Sequence, residues 1–447
     1  MRTSTIARFA IALAAGGFPA SCGSSSPPLP IEPASSAASA GSIVKPNRTA
    51  PLYQVLHVFR NVRLGENPLA PVIADSAGNL YGETFQGARR SRLGGCGTVF
   101  KLTLSGKTYV ESTLHRFQNK PDGCEPEGGL TMDSTGAIYG ATEFGGKEGL
   151  DGEGTIFKLT PAGTGYSYSV IYKFTGGADG AWPLGGLLID ASGVIYGATQ
   201  SGAASACPGA FQGCGTVYTL SPAKSGYYTE KTLHAFQGGS DGVIPSAGLA
   251  MDSKGAIYGT TSLGGYGSIG NGTVYKLTPT RSGYSEQVIH AFSGSGDGND
   301  PQASVVVERN GTLVGTTLYG GSIQLGGTVF ALKPRGSKYS ENILYNFTGN
   351  GQGSEPAAPV LDVSGVLYGT TSDGGVNPPC GNQCGTIFEL KPTRSGYAHS
   401  VLYHMTGPGG WFPRAGVILT TALCMARRMR AAVASAAASC ISSRLRT

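Results

Sequence analysis

Gly255-Ala-Ile-Tyr258-Gly-Thr-Thr261-Ser-Leu-Gly264-Gly265, followed by Gly272-Thr-Val-Tyr275-Lys-Leu-Thr-Pro279, decides the fold. The pair reads as strand, glycine-rich loop, strand. Its first half returns around Tyr81, Tyr139, Tyr196, Val314 and Tyr368, so successive anchors lie 58, 57, 62, 56 and 54 residues apart. Its second half returns as Gly97-Thr-Val-Phe100, Gly154-Thr-Ile-Phe157, Gly215-Thr-Val-Tyr218, Gly327-Thr-Val-Phe330 and Gly385-Thr-Ile-Phe388. Regular self-similarity at this length marks a repeat architecture.

Each period holds four strand-like runs. In one copy they are Leu184–Ile189, Val194–Thr199, Thr216–Leu220 and Tyr228–Phe236, separated by Ala-Ser-Gly and Ser-Pro-x-x-Ser-Gly turns. Their β-branched and aromatic content favours strands. Four antiparallel strands per period is the signature of a propeller blade, whereas a β-helix coil is far shorter and a sandwich does not repeat. Tyr53–Phe59 matches a fourth strand with no first three before it, and Gly416–Leu419 begins another first strand. The expectation is an all-β propeller of seven four-stranded blades, spanning 51–419. Its last blade is incomplete, and the N-terminal strand closes the ring and hides the edges.

The ends differ from the repeats. Arg2 and Arg8 precede an apolar run, Phe9–Ala15, too short to span a bilayer and typical of a secretory signal. Ala20-Ser21-Cys22 resembles a lipoprotein cleavage box with Cys22 as the lipidated residue, although Pro19 departs from the usual leucine; ordinary cleavage is the alternative. Residues 23–50 are Ser/Pro-rich and read as a disordered tether. From Thr420 to Thr447 the repeat character stops. Read one base out of register, Cys424–Arg428 can spell Tyr-Gly-Ala-Thr and Cys440–Leu445 can spell Tyr-Lys-Leu-Ser-Pro. An out-of-frame tail is expected; a genuine amphipathic, Arg-rich helix is the alternative.

The Leu/Ile-Tyr-Gly-Thr-Thr, Gly-Gly and Gly-Thr-Val-Phe-Lys-Leu-Thr-Pro blend resembles the GloVer tandem-repeat family of exported bacterial proteins, described as carrying a choice of anchor. The resemblance covers 53 to about 419, with Val314, Glu83 and the tail as departures. It implies a propeller and an exported address, and supplies no catalytic residue or ligand.

Chemistry is sparse. With 72 glycines and only 13% charged residues, the composition suits short strands and tight turns. A net charge of +6 without a basic, aromatic-studded stripe excludes a nucleic-acid partner. Of nine cysteines, six are disulfide candidates. Cys207 with Cys214 and Cys380 with Cys384 each bracket a loop. Cys96 and Cys124 lie in loops that a meander brings to one face, and the rival, metal binding, lacks a nearby histidine.

Asp-Gly pairs at Asp122, Asp179, Asp241 and Asp297, with Trp182 beside one of them, mark the candidate binding face. Calcium, helped by Asp300, is the alternative to plain turn chemistry, and no cofactor is expected. His57, His115, His234 and His290 alternate with Tyr172, Tyr345 and Tyr403, as a packed aromatic position would. No Gly-x-Ser-x-Gly elbow, metal triad or phosphate loop occurs. The expected role is a monomeric, exported binding module for an extracellular carbohydrate or protein, touching membrane only through lipid on Cys22. A polysaccharide-acting enzyme, for which Glu143, Glu153 and Lys147 are the clustered departures, or a structural envelope component, is the alternative.

Overall fold

A computed structural model describes residues 52–443 except 60–64, 88–94, 107, 119, 147–151, 204–206, 208–211, 225, 267–269, 376–383, 407–411, 421–428 and 435–436. The signal, the tether, Cys22, Cys380 and Lys147 lie outside the described residues. Regular structure among the described residues is β, apart from two single-turn 3-10 segments at Gly239–Asp241 and Asn350–Gln352.

Six sheets form the blades of a propeller, five of four consecutive strands and the last of four with the extra strand Ser354–Pro356 paired to its second. The blades span 73–116, 131–173, 188–235, 250–291, 306–346 and 360–404, and are numbered one to six here. The fourth blade shows the plan, running from the centre outwards as Ala250–Met251, Ile257–Thr261, Thr273–Thr280 and Gly283–Ala291. The innermost strand is only two residues long, against the six expected from the sequence. In the third blade only Leu188–Ile189 pair, because the preceding Leu184–Leu187 packs against neighbouring innermost segments instead.

The count also needs correction: six blades of consecutive strands stand where seven were expected. Leu52–Val58 instead pairs with Ala437–Ser443 in a sheet continued by Met429–Ala434 and Val417–Thr420. Those C-terminal residues run as strands rather than as a helix. Ile418 joins the core of the first blade and Val417 that of the sixth, so this composite sheet touches both.

The repeat motif is a packing rule. Each second-strand glycine sits opposite the large aromatic of the third strand: Gly82 with Phe100, Gly140 with Phe157, Gly197 with Tyr218, Gly259 with Tyr275, Gly315 with Phe330 and Gly369 with Phe388. A Cβ at Gly82 would lie 2.5 Å from the Phe100 ring, so the aromatic fills the space that a side chain would need. A bulge follows that position in every blade, between Val99 and Phe100 and its five equivalents.

The seams between blades are aromatic. In the first five blades the phenylalanine after the fourth strand meets the next blade's aromatic edge to face, as in Phe117–Phe157 at 5.2 Å, Phe236–Tyr275 at 5.1 Å and Phe347–Phe388 at 5.0 Å, whereas the sixth has Met405 at this position. Phe59, after the N-terminal strand, contacts Phe100 at 4.8 Å with the rings tilted by 56°.

Two disulfides staple the loop face: Cys96–Cys124, closing 28 residues, and Cys207–Cys214, closing seven. Cys384 is also disulfide-bonded. Loop-closure entropy makes the longer link worth about 3–4 kcal/mol and the shorter about 2. Cys96→Ser is therefore expected to lower the urea midpoint more than Cys207→Ser, and equal losses would refute this ordering.

Candidate functional site

The loop from each fourth strand into the next blade bridges to the end of the following second strand. Glu66 pairs with Gln86, Cys124 with Phe144, Ala181 with Ser201, Val243 with Leu263 and Asn299 with Tyr319. Both loop types therefore share one face. The Asp-Gly residues are consumed in building it. Asp122 accepts the Gln118 N–H at 3.0 Å and faces His115 Nε2 at 2.9 Å. Asp179 accepts the Thr175 N–H at 2.9 Å and the Tyr172 hydroxyl at 3.0 Å. Asp241 and Asp297 accept the N–H groups of Gln237 and Ser293, at 2.7 and 2.8 Å. The following glycines, Gly123, Gly180, Gly242 and Gly298, have positive φ and pack on Thr142, Thr199, Thr261 and Thr317. Each of these threonines in turn shares a buried hydrogen bond with the first threonine of the third strand, 2.8–2.9 Å long.

Two residues past each such glycine comes a position that the sequence did not single out as a set. Asn67, Glu125, Trp182, Ile244, Asp300, Glu355 and Phe412 all have φ between 46° and 62°, and all precede a proline. Left-handed backbone is uncommon outside glycine and strained for a β-branched residue such as Ile244, at about 1–3 kcal/mol each. The surroundings hold it in place. The N–H of Glu125 donates to Cys96 O in the preceding blade at 2.9 Å, and its carbonyl accepts the Glu143 N–H at 3.2 Å. Trp182 is pinned between Glu153 O and Gln200 N–H, and Ile244 between Cys214 O and Ser262 N–H, at 3.0–3.1 Å. The frame repeats while the side chain varies across amide, acid, aromatic and aliphatic. The signal available in the sequence was that variability inside a fixed Gly-x-X-Pro frame; Trp182 drew attention as an isolated aromatic and Asp300 as a helper for calcium, each on its own.

Acids gather at this level. Glu83 takes a second-strand position held by Thr260, Thr316 and Thr370 in later blades, whose hydroxyls donate to carbonyls of the next innermost segment. The carboxylate reverses the polarity, accepting the Gly129 N–H at 2.6 Å, while its Oε2 has no partner. Burial, with Glu127 adding repulsion, pushes Glu83 up to about 8. Burial also pushes Glu143 up to about 8, reinforced by Glu127 and Glu125. Glu125 and Glu127 are raised by burial as well, Arg414 partly offsetting the shift at Glu127. On the opposite side burial pushes Asp300 up to about 6, and Glu355 accepts the Ser372 hydroxyl at 2.8 Å. The Arg414 charge bears on both Glu127, just before the second blade, and Tyr319 in the fifth, so the two groups of acids lie around one cation on this face. Trp182 reaches the acids through Phe144, ring centroids 6.1 Å apart. Such perturbed carboxylates beside an aromatic make this the candidate site.

A second Asp set is architectural. Asp75, Asp133, Asp190 and Asp252 end the innermost strands, accept turn N–H groups, and receive the hydroxyls of Tyr81, Tyr139, Tyr196 and Tyr258 at 3.0–3.1 Å. Where Val314 replaces the tyrosine, Glu308 replaces the aspartate.

Fold and site define an all-β propeller whose loop face carries an acidic, aromatic-edged mouth. The chain belongs to the Gloeobacter/Verrucomicrobia repeat family, whose model matches residues 33–207 and 204–426. No curated protein matches it. Among solved structures it is similar to the extracellular domain of a candidate one-component system from B. thetaiotaomicron, at 11% identity and a TM-score of 0.51. That match covers 88% of this chain and 40% of the other. A gluconolactonase from Xanthomonas campestris matches at 12% identity and a TM-score of 0.40, covering 72% and 87% of the two chains. A candidate 6-phosphogluconolactonase from Bacteroides uniformis matches at 15% and 0.47, covering 75% and 86%. At 11% identity the likeness to the extracellular domain speaks to fold alone.

Proposed function

We propose that this is an exported binding module which holds a hydroxyl-rich, saccharide-like ligand at the mouth of its loop face. The observation that carries the reading is the gathering of Glu125, Glu127 and Glu143 near Trp182, with Glu125 and Trp182 on strained, doubly pinned backbone. Carboxylates accept hydrogen bonds from sugar hydroxyls, an aromatic face stacks on the sugar ring, and rigid pedestals hold both before the ligand arrives. Two disulfides support an oxidising, extracytoplasmic address, in line with the N-terminal signal and with a lipid anchor at Cys22.

The test is calorimetric titration of the oxidised chain with a panel of soluble polysaccharides. Binding at micromolar to millimolar affinity, lost in Glu143→Ala, is the expected outcome. No binding across neutral, acidic and basic polysaccharides, or binding unchanged in the variant, defeats the reading. The enzymatic alternative rests on the protonated state of Glu143 at neutral pH, beside carboxylates that can ionise. Release of reducing ends, abolished by the same substitution, would select it.

A further inference from the structure

The outer rim carries a constellation that the mouth does not use. His234 lies near the end of the third blade's fourth strand, Asp241 in the loop that follows, and Glu286 on the fourth strand of the next blade. One blade on, His290, Asp297 and Glu341 repeat it. In each trio one donor atom per residue lies within 4.8 Å of the other two. His234 Nε2 is 3.1 Å from Asp241 Oδ1, while His290 Nε2 is 3.7 Å from Asp297 Oδ2 and 3.3 Å from Glu341 Oε1. Glu286 Oε1 is sealed from solvent and has no hydrogen-bond partner, while His290 Nε2 and Glu341 Oε1, equally sealed, face each other as an ion pair without hydrogen-bond geometry. Buried polar atoms of this kind demand an explanation, and an ion is one.

The chain supplies its own controls. At the seam between blades two and three the histidine is Tyr172, whose hydroxyl donates to Asp179, and Glu230 accepts from Thr232 at 2.9 Å. Between blades one and two the glutamate is Tyr168, which stacks on His115 with centroids 3.6 Å apart. His57 and Glu111 meet at 2.7 Å without an aspartate, because residue 64 is leucine. Histidine and tyrosine thus exchange as packed aromatics, as the sequence suggests. At two seams, however, aspartate and glutamate complete a donor set.

We propose that His234, Asp241 and Glu286, and separately His290, Asp297 and Glu341, each bind a divalent transition-metal ion that clips adjacent blades at the rim. One imidazole nitrogen with two carboxylates suits zinc or manganese and balances a double positive charge. Calcium, which wants six or more oxygens, is poorly served by three donors of which one is nitrogen. Each ion would tie together outer strands that otherwise meet only through side chains.

The test uses the full oxidised chain, stripped with chelator and titrated with zinc alone. Two equivalents per chain are expected, His234→Tyr and His290→Tyr each losing one and the double variant losing both. Tyrosine is the residue the protein itself places at Tyr172 and Tyr345, so these variants keep the fold, and unchanged metal-free melting temperatures check that. Zinc should also raise the melting temperature of the wild type and leave that of the double variant unmoved. Absence of saturable binding in the wild type, or equal binding by the double variant, overturns the assignment.

Discussion

Glu83→Gln is expected to stabilise the protein by a few kcal/mol above pH 8 and to flatten part of its stability–pH curve. The wild-type carboxyl titrates near 4.5 when unfolded and near 8 in the fold, because burial disfavours its charge. Between those values the folded chain keeps a proton that the unfolded chain has released. Stability therefore falls as pH rises through that window, by about 1.4 kcal/mol per pH unit for one such group. Below the window no penalty exists, and above it the penalty is complete. Glutamine can still accept the Gly129 N–H and never ionises, so it mimics the protonated state. A residual slope should persist from Glu143, which is also raised to about 8. Urea unfolding at intervals from pH 4 to 9 is the measurement. Parallel curves for wild type and variant would mean that Glu83 is hydrated or compensated, and would remove it from the set of perturbed acids. A buried charge with an unpartnered oxygen is poor for stability, and its presence beside Glu127 points to the mouth as its reason.

How far the fold was legible follows from what each residue answers to. The Gly-Thr-Val-aromatic and Tyr-Gly-Thr-Thr motifs meet each other inside one blade, through pairs such as Gly259 with Tyr275 and Thr261 with Thr273, so their chemistry is complete within about 20 residues. The link of Cys96 to Cys124 needs only that two loop types share a face. The innermost strand was overdrawn because apolar runs such as Leu184–Ile189 do not distinguish a paired strand from a backbone packed at the centre, where a Cβ on Gly128 would meet Leu184 O at 2.6 Å.

The site was less legible because it is not local. Glu83 stood out as a break in a motif, and Glu143 as a cluster with residues of its own blade. Their common neighbour is Glu127, brought there because the second strand of the first blade abuts the entry segment of the second. The Asp-Gly residues drew attention as candidate ligands because they recur. Turn construction, the reading the sequence favoured, accounts for the recurrence, while variation two residues beyond the glycine marks a surface free to specialise.

Trp182→Gly should separate the two roles that meet in one loop. At φ 58° glycine removes the strain of a left-handed side chain while both main-chain hydrogen bonds remain available, to Glu153 O and from Gln200 N–H. The relief of about 1 kcal/mol offsets the lost contact with Phe144, so stability should stay within about 1 kcal/mol of wild type. Polysaccharide binding should fall about 100-fold, the loss typical of a central aromatic anchor. Gly180→Ala, two residues earlier, is the contrasting change. Its φ is 96°, and its added Cβ would collide with Thr199 Oγ1, inside the buried threonine pair, so it should cost about 3 kcal/mol or more. The same loop then yields one substitution that spares the fold and removes binding, and another that damages the fold itself. Equal destabilisation by both, with binding tracking the folded fraction, would show that the residues before the prolines serve packing. Full binding retained in Trp182→Gly would move the ligand away from this sector of the mouth, towards Asp300 and Glu355.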